Sequence, residues 1–279
     1  MSARSWVNGL AATSVPALDR GLHYGDGVFT TALVVDGRVV YLDEHIQRLM
    51  RDAQALKLPP VSPWLLRSEF ETAAADQALA VVKYLLTRGV AERGYRAPAR
   101  GEATRIVLRA VCPSYPRSYW GQGIALRVCA HRLSAQPHLA GVKHLNRLDQ
   151  VLARSEWSGE DRAEGLLLGQ NSELVCGTMT NVFFVSQGRL LTPSLETAGV
   201  NGVMRALILQ AAEKLAIPIG VGRYTLENLL AADEVFMSNA VIGLWPVAAC
   251  GKRRWSRCPG PLATQLSAVL RHPFTGVSG

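Results

Sequence analysis

Hydrophobic and polar residues recur with two different periods along the first 112 residues, which predicts strands interleaved with helices. The run LVVDGRVVYL places an Asp-Gly pair between two apolar stretches, as in a tight β-hairpin. In DEHIQRLMRDAQALKL the candidate N-cap Asp43 precedes apolar residues at helical spacing, namely Ile46, Leu49, Met50 and Ala53. A second helix over WLLRSEFETAAADQAL and strands over VVKYLLTRGV and TRIVLRAV complete a predicted α+β domain over residues 1–112.

The pattern breaks at residues 113–122, PSYPRSYWGQ, which are rich in proline, aromatic and polar residues and predict an interdomain linker. Residues 123–279 then predict an α/β domain. Its strands are expected over GIALRVCAHRL, GLLLGQ, VCGTMTNVFFVSQ, GRLLTP and DEVFMSNAV, and its helices over the segment around Lys143, VMRALILQAAEKLA and TLENLLAA. The chain is therefore expected to form two domains.

The segment GVKHLNRLDQVLAR, residues 141–154, contains one of only five lysines among 30 basic residues. Leu145, Leu148 and Leu152 follow Lys143 at helical spacing, which predicts that this lysine stands at the start of a packed helix. A partly desolvated lysine amine is a nucleophile for carbonyl groups. From spacing alone, however, a surface lysine is the more common explanation.

Two further segments could bind a phosphate group. AGVNGVMRALIL places glycines directly before an amphipathic helix, where backbone N–H groups can meet an anion, although many ordinary helices begin in this way. SNAVIGLWPV places Ser238 and Asn239 where a strand gives way to a loop. Arg48, in HIQRLMR, is another candidate phosphate ligand, with a solvated helix position as the alternative. No P-loop is present, because no GK[ST] sequence follows the glycines.

Composition narrows the classes of function. With 48% hydrophobic and 19% charged residues the chain is typical of a globular protein, and no apolar run or leader predicts a membrane partner, so the cytoplasm is expected. The net charge of +8 is scattered along the chain, which favours a small anionic substrate over a nucleic acid. Five widely spaced cysteines predict reduced thiols and no structural metal.

Six segments together resemble the fold-type IV pyridoxal-phosphate enzymes, a group that contains branched-chain and D-amino-acid aminotransferases and the aminodeoxychorismate lyases. The segments appear in the family's order, and they are DRGLHYGDGVFTT, EHIQRL, GVKHLNRLDQVLAR, GTMTNVFFV, AGVNGVMR and SNAVIGLWPV. The Lys143 segment, AGVNGVMR and RGY at 93–95 are most similar to the lyases, which form 4-aminobenzoate and pyruvate in folate biosynthesis. The resemblance implies a two-domain fold like that of D-amino-acid aminotransferase, with pyridoxal 5'-phosphate as cofactor, and a homodimer.

The resemblance also implies roles for individual residues. Lys143 would bond covalently to the cofactor and act as the catalytic base. Asn146 would lie near the phenolic oxygen of the cofactor, and Arg93, otherwise a loop arginine, is a candidate for binding a substrate carboxylate. The phosphate would be held by Arg48, by the amides of Val200 and Asn201, and by the loop at Asn239 and Ala240.

One position departs from the family. A glutamate that pairs with the pyridine nitrogen usually stands five residues before the asparagine of this strand, and Cys176 occupies that position here, counted back from Asn181. Glu173 lies three residues further back, and strand alternation directs it to the opposite face unless a bulge intervenes. A neutral thiol supports the protonated, electron-withdrawing ring less well than a carboxylate does. We therefore expect a lyase, with an aminotransferase or a non-catalytic cofactor-binding protein as alternatives.

Overall fold

A computed structural model describes residues 4–98, 101–159 and 162–274. The chain divides into two compact units, Met1–Ser114 with Val142–Asn146 and Tyr115–Gly141 with Arg147–Gly279. No helix in the described ranges is both long and apolar enough to cross a bilayer.

The first unit is built on an antiparallel sheet with two helices on one face. In chain order its elements are β1 (Arg4–Val7), β2 (Leu10–Ala11), α1 (Arg20–Tyr24), β3 (Gly27–Val35), β4 (Arg38–Val39), α2 (Leu42–Ala55), α3 (Pro63–Ala74), β5 (Leu79–Thr87) and β6 (Thr104–Val111). The strand order is β2-β1-β6-β5-β3-β4. The predicted Asp-Gly hairpin is confirmed, since β3 and β4 pair around it.

Alternation along the strands sorts their side chains between the two faces of this sheet. Val28, Val34, Val82 and Tyr84 pack with the helices in one hydrophobic core. The helix predicted over residues 43–58 is confirmed, although α2 begins at Leu42 with Tyr41 as N-cap, so that Asp43 lies in the first turn and pairs with Arg67 instead.

The second unit contains a mixed sheet. Its elements are α4 (Ser118–Gly121), β7 (Ile124–Leu133), α5 (Leu148–Arg154), β8 (Glu164–Gly169), β9 (Leu174–Gly177), β10 (Asn181–Ser186), β11 (Arg189–Pro193), α6 (Val203–Lys214), β12 (Ile219–Gly222), α7 (Leu226–Leu230), β13 (Glu234–Asn239), β14 (Gly243–Cys250), β15 (Arg253–Arg254) and α8 (Pro261–Leu270). The strand order is β12-β11-β10-β13-β14-β7-β8-β9, and β15 pairs with β14. Strand β14 and helix α8 were not predicted.

The segment assigned to a linker, residues 113–122, is largely folded into the second unit. The ring of Tyr115 lies 4.7 Å from that of Trp245 and the ring of Tyr119 lies 5.2 Å from it, both edge-on. Trp120 donates its indole N–H to the carbonyl oxygen of Ile242 at 2.8 Å. The aromatic residues that broke the sequence pattern therefore contribute to a hydrophobic core.

Candidate active site

The segment that carries Lys143 forms an antiparallel bridge to β3 in the first unit and is not the start of a helix. β4 pairs only with the far end of β3, which leaves the first residues of β3 open on that side. The N–H of Phe29 donates to the carbonyl of Lys143, and the N–H of Leu145 donates to the carbonyl of Gly27, both at 2.9 Å. The helix begins only at Leu148. Because of this pairing, the lysine expected in the C-terminal domain is grouped with the N-terminal unit.

The side chain of Lys143 is half-buried against an aromatic ring. Its Nζ lies 4.3 Å from the centroid of Phe29, a cation–π distance. The backbone N–H of Lys143 donates to the Asp52 carboxylate at 3.0 Å, which ties the segment to α2. A partly desolvated amine on a residue whose own N–H and C=O are both hydrogen-bonded suits covalent chemistry with a carbonyl group.

Arg48 is buried on α2 beside this segment, so the alternative of a solvated helix position is wrong. Its Nη2 donates to Thr30 Oγ1, which lies 2.6 Å from Nδ1 of His45. Burial lowers the pKa of Arg48 to about 10, against the opposing charge of Asp52. Burial, with the charges of Arg48 and Lys143, keeps the pKa of His45 well below its usual range, so this imidazole is neutral.

The donors around Arg48 fit a phosphate group. Its buried Nε has no hydrogen-bond partner among the residues that the structure describes. A buried cationic donor left unpaired is costly, and a dianionic phosphate would supply both the missing acceptor and the compensating charge. The first unit therefore offers an amine for a carbonyl and a guanidinium for a phosphate, the two groups that pyridoxal phosphate carries.

Asn146 closes the same segment. Its Nδ2 donates to the carbonyl of Gly25 at 3.2 Å. Gly25 has a φ of 62°, and a Cβ there would come within 2.5 Å of the Asn146 amide oxygen, so the YGDG turn requires glycine at this position. The Asn146 side chain is exposed, and one of its functions is to hold this turn.

In the second unit, one of the two amides that the sequence suggested before α6 is already paired with backbone. Asn201 donates its N–H to the carbonyl of Gly141 at 2.9 Å, so the prediction that this amide binds the phosphate is wrong for this structure. The cause is a parallel bridge between Gly141 and Val200. The N–H groups of the first turn of α6, among them those of Val203 and Met204, have no intrahelical acceptor.

Gly202 and Asn181 fix this helix start. Asn181 donates through Nδ2 to the carbonyl of Val200 at 2.8 Å. A Cβ on Gly202 would lie 2.3 Å from the Asn181 side-chain oxygen, so only glycine fits there. In the same turn, the buried Arg205 has an Nε without a partner in the described part of the chain. These positive groups make the α6 terminus suitable for an anion.

The loop after β13 is held by its own asparagine. Asn239 accepts through Oδ1 from the N–H groups of Val241 and Ile242 at 2.8 and 3.0 Å. Nε2 of His272, just beyond α8, lies 3.2 Å from the carbonyl oxygen of Ala240. The Asn239 side chain thus shapes the loop, and the backbone around Ala240 remains the candidate for ligand contact. The contact from His272 was missed, because the C-terminal sequence carried no recognisable signal.

Cys176 is buried in β9 among apolar residues. Burial lowers the pKa of Arg147, and the charges of Cys176 and Asp149 raise it. Because the thiol acts on this guanidinium, the two groups lie near each other. Glu173 does not replace the missing acid, because its carboxylate accepts the N–H of Asn171 at 2.9 Å in the β8–β9 turn.

The other nearby acid, Glu164, is also committed to structure. It is fully buried and accepts the N–H groups of Thr178 and Met179 at 3.0 and 3.2 Å and the hydroxyl of Thr180 at 2.8 Å. These bonds hold the loop between β9 and β10. Cys176 therefore has a cationic neighbour, whereas the carboxylates of Glu173 and Glu164 are engaged in hydrogen bonds to backbone N–H and hydroxyl groups.

Arg93 lies exposed in a loop that a buried arginine holds. Arg20 donates to the carbonyl oxygens of Gly94 and Tyr95 at 2.7 and 3.2 Å. Its Nε also pairs with Asp26 at 2.9 Å. This anchoring reduces the entropy that the loop would lose on binding a ligand. Arg20 was not identified from the sequence, since nothing in DRGLHYGDG distinguishes it from a surface arginine.

Comparison with known proteins agrees with these features. A family model described as amino-transferase class IV matches residues 27–250. An aminodeoxychorismate lyase of Vibrio harveyi is 35% identical over 251 residues, which are 87% of this chain and 90% of that protein. The crystal structure of a 4-amino-4-deoxychorismate lyase from Pseudomonas aeruginosa has a TM-score of 0.92 at 41% identity and covers 96% of this chain and 98% of that one.

An aminotransferase is also similar in structure. The branched-chain amino acid aminotransferase of Escherichia coli has a TM-score of 0.82 at 26% identity, covering 99% of this chain and 95% of that one. The expected fold-type IV architecture is thus confirmed, and pyridoxal 5'-phosphate is the cofactor of this family. The chain belongs to the amino-transferase class IV family.

Proposed function

We propose that this protein is a lyase that converts 4-amino-4-deoxychorismate into 4-aminobenzoate and pyruvate. The observation that carries the proposal is the similarity to two lyases over nearly the whole chain, at 35% and 41% identity. The sequence motifs alone would also suit an aminotransferase, since those enzymes share the architecture at lower identity to this chain.

Candidate cofactor donors occur in each unit taken by itself. Arg48, with its unpaired buried Nε, would bind the phosphate. In the second unit, the N–H groups at Val203 and Met204 would serve in place of the Asn201 amide, together with the backbone at Ala240. Asn146 would approach the phenolic oxygen and Cys176 the pyridine nitrogen. When bound, pyridoxal phosphate withdraws electrons from the substrate carbon that bears the amine.

Lys143 would have two tasks in the reaction. Its amine would bond to the carbonyl group of the cofactor, and as a free amine it would remove the proton from C4 of the substrate. The electron pair of that C–H bond enters the ring as the C3–O bond breaks. The ring becomes aromatic, and the departing enolpyruvate takes up a proton at its methylene carbon to become pyruvate.

Cys176 and Arg147 support a lyase over an aminotransferase. A carboxylate beside the pyridine nitrogen would favour its protonated form, whereas a thiol with a guanidinium nearby does not. A less protonated ring withdraws electrons more weakly. An elimination that forms an aromatic product has its own driving force and tolerates this loss better than amino-group transfer does.

The function is tested by incubating purified protein with pyridoxal phosphate and 4-amino-4-deoxychorismate and measuring 4-aminobenzoate. Formation of the product supports the lyase. If an amino donor instead converts the cofactor to its pyridoxamine form, the protein is an aminotransferase. Cofactor absorbance without either reaction would identify a non-catalytic binding protein.

Substitution of Arg93 by alanine is expected to raise KM for the substrate about tenfold, because a charge-assisted hydrogen bond to a carboxylate is lost. kcat should change little if Arg93 contributes to binding alone. Steady-state kinetics measure both values, with Arg96→Ala in the same exposed loop as the control. An unchanged KM in Arg93→Ala would remove this residue from the substrate site.

We also propose that the protein is a homodimer that uses α5. The sequence predicted that Leu148 and Leu152 pack inside the chain, but Leu148 is 73% exposed and Val151 and Leu152 are each 56% exposed. These residues form one apolar face at helical spacing, and a second copy would cover it.

Introducing a charge on this face, as in Leu152→Glu, is expected to shift the protein from dimer to monomer in analytical ultracentrifugation, because the interface would bury an unpaired carboxylate. Val221→Glu is the matched control, since Val221 is similarly exposed, at 52%, on β12. A dimer that persists in Leu152→Glu at micromolar concentration would contradict this interface.

We propose the cytoplasm as the compartment. All five cysteines are free thiols, four of them buried, which suits a reducing environment. Fractionation of the native host, followed by detection of the protein, tests this assignment, and recovery from an extracytoplasmic fraction would overturn it.

A further inference from the structure

His272 lies just beyond α8, is 1% exposed and has no part in the proposed reaction. Its Nε2 lies 3.2 Å from the carbonyl oxygen of Ala240, and its Nδ1 lies 3.3 Å from the backbone nitrogen of Phe274. A backbone N–H can only donate, so Nδ1 of His272 accepts and carries no proton. Burial lowers the pKa of His272 to about 4, so the ring is neutral. Its proton is therefore on Nε2, which donates to Ala240.

Helix α8 brings His272 to the end of β13. At the start of β13, the Glu234 carboxylate accepts two N–H groups from the first turn of α8, both at 3.0 Å. Two residues before Glu234, the carbonyl oxygen of Ala232 accepts the indole N–H of Trp255 at 2.9 Å. The segment that contains α8 is therefore attached at the start of β13, and through His272 it also contacts the loop that follows this strand.

The peptide group between Ala240 and Val241 is held at both ends. Its carbonyl oxygen accepts from His272, and its N–H donates to Oδ1 of Asn239 at 2.8 Å. The N–H of Ile242 donates to the same oxygen at 3.0 Å. Without the donor from His272, the carbonyl group of Ala240 would be buried without that partner, and the loop would have to rearrange to find another. The conformation of the loop therefore depends on a residue from the C-terminal segment.

One N–H group of this loop remains available for a ligand. Those of Val241 and Ile242 donate to Asn239, whereas in the described ranges the N–H of Ala240 donates to no backbone carbonyl. Ala240 lies between two fixed points, since Asn239 pairs with Gly243 in the register of β13 and β14 and the peptide group after Ala240 is held by His272. A fixed backbone gives this N–H one direction, as a binding site for an anion requires.

We propose that His272 is a positioning residue for the cofactor. By holding the carbonyl group of Ala240, it keeps the N–H of Ala240 directed at the phosphate group. This role rests on the proposed function for the assignment of the loop to the phosphate. The C-terminal segment, which carried no recognisable sequence signal, thereby contributes to cofactor affinity through the backbone of the loop.

Two substitutions separate the contacts of the two ring nitrogens. His272→Gln places an amide N–H near the position of Nε2 and should keep the bond to Ala240. His272→Asn places its amide near the position of Nδ1, so it keeps an acceptor for the Phe274 N–H but does not reach Ala240. We expect the affinity for pyridoxal phosphate to fall about fivefold to tenfold in His272→Asn and to stay within about twofold in His272→Gln. Titration of the cofactor absorbance band measures both affinities.

Two controls separate this role from a general loss of stability. Pyridoxal, which lacks the phosphate, should bind both His272 variants within about twofold of the unmodified protein. Trp255→Phe removes another bond from a ring N–H to a carbonyl oxygen, at the opposite end of β13. It should lower the melting temperature and leave the affinity for pyridoxal phosphate within about twofold. Equal affinities for pyridoxal phosphate in His272→Asn and His272→Gln, or an equal loss in Trp255→Phe, would overturn the role of His272.

A further measurement uses the unmodified protein. The nitrogen-15 chemical shifts of the His272 ring at pH 7 should show a neutral imidazole with its proton on Nε2, and a proton on Nδ1 would overturn the proposal. Formation of 4-aminobenzoate is measured separately. If no product forms but the cofactor affinities of the His272 variants differ as expected, the proposed function fails and the role of His272 stands.

Discussion

Lys143→Ala is expected to lose the covalent cofactor adduct completely and to reduce the rate of 4-aminobenzoate formation by about a thousandfold or more, because one amine serves both as attachment point and as base. The fold should survive. The hydrogen bonds that place the segment on β3 use backbone atoms of Phe29, Lys143, Leu145 and Gly27, and alanine retains them. The loss should therefore be chemical and not structural.

The measurement is borohydride reduction of the cofactor-loaded protein, followed by mass spectrometry of the peptide that contains residue 143. The unmodified protein and Lys252→Ala should carry the reduced adduct, and Lys143→Ala should not. A small primary amine added to Lys143→Ala should restore part of the turnover by replacing the missing base. An adduct on another lysine, or undiminished turnover in Lys143→Ala, would refute the assignment.

The Lys143 segment shows which structural features the spacing of apolar residues can predict and which it cannot. Leu145, Leu148 and Leu152 recur at helical spacing, yet Leu145 lies in the segment bridged to β3 and the other two are exposed on a helix that starts at Leu148. Helical spacing identifies apolar residues that recur at regular intervals. It does not identify the surface that covers them. The bridge between the Lys143 segment and β3 needs an unpaired stretch of β3. That stretch exists because β4 is short.

The elements with local signals were predicted well. The Asp-Gly hairpin and α2 are specified by residues close in sequence, so their existence could be read directly. β14 was missed because its residues, GLWPVAAC, are a continuous apolar run without alternation and contain a proline. Its buried position becomes evident only when β13 and β7 lie on either side of it.

For the site residues, too, the sequence identified positions but not the contacts that depend on packing. Arg48 was named from sequence, but its burial, its bond to Thr30 and its unpaired Nε depend on how α2 packs against β3. The pairing of the Asn201 amide could not be predicted. Its acceptor belongs to Gly141, 60 residues away, and no local sequence pattern indicates that bridge. The position of Cys176 could be identified by counting back from Asn181, whereas its proximity to Arg147 depends on the fold.

Arg48 gives the second large expected effect. Arg48 as a residue is 6% exposed, and burial lowers its pKa to about 10, so the folded protein holds this charge at a cost. Asp52 offsets part of the cost and also accepts from Arg51 and from the backbone of Lys143. The remaining positive charge is what a phosphate group would neutralise.

Arg48→Met is therefore expected to weaken pyridoxal phosphate binding about tenfold to a hundredfold, the range for loss of hydrogen bonds to a charged group. Without cofactor, its melting temperature should stay close to that of the unmodified protein, because a buried charge with incomplete pairing is replaced by an apolar side chain. Added pyridoxal phosphate should then raise the melting temperature less in this variant than in the unmodified protein.

Arg51→Met is the matched control, since Arg51 lies on the same helix, pairs with the same Asp52 and keeps its side chain 49% exposed. Its cofactor affinity should remain within about threefold of the unmodified value, because an exposed ion pair contributes little. Affinity is measured by titrating the cofactor absorbance band, with inorganic phosphate as a competitor. Equal cofactor affinities in Arg48→Met and Arg51→Met would exclude Arg48 as the phosphate ligand, and the unpaired Nε would then require a different anion.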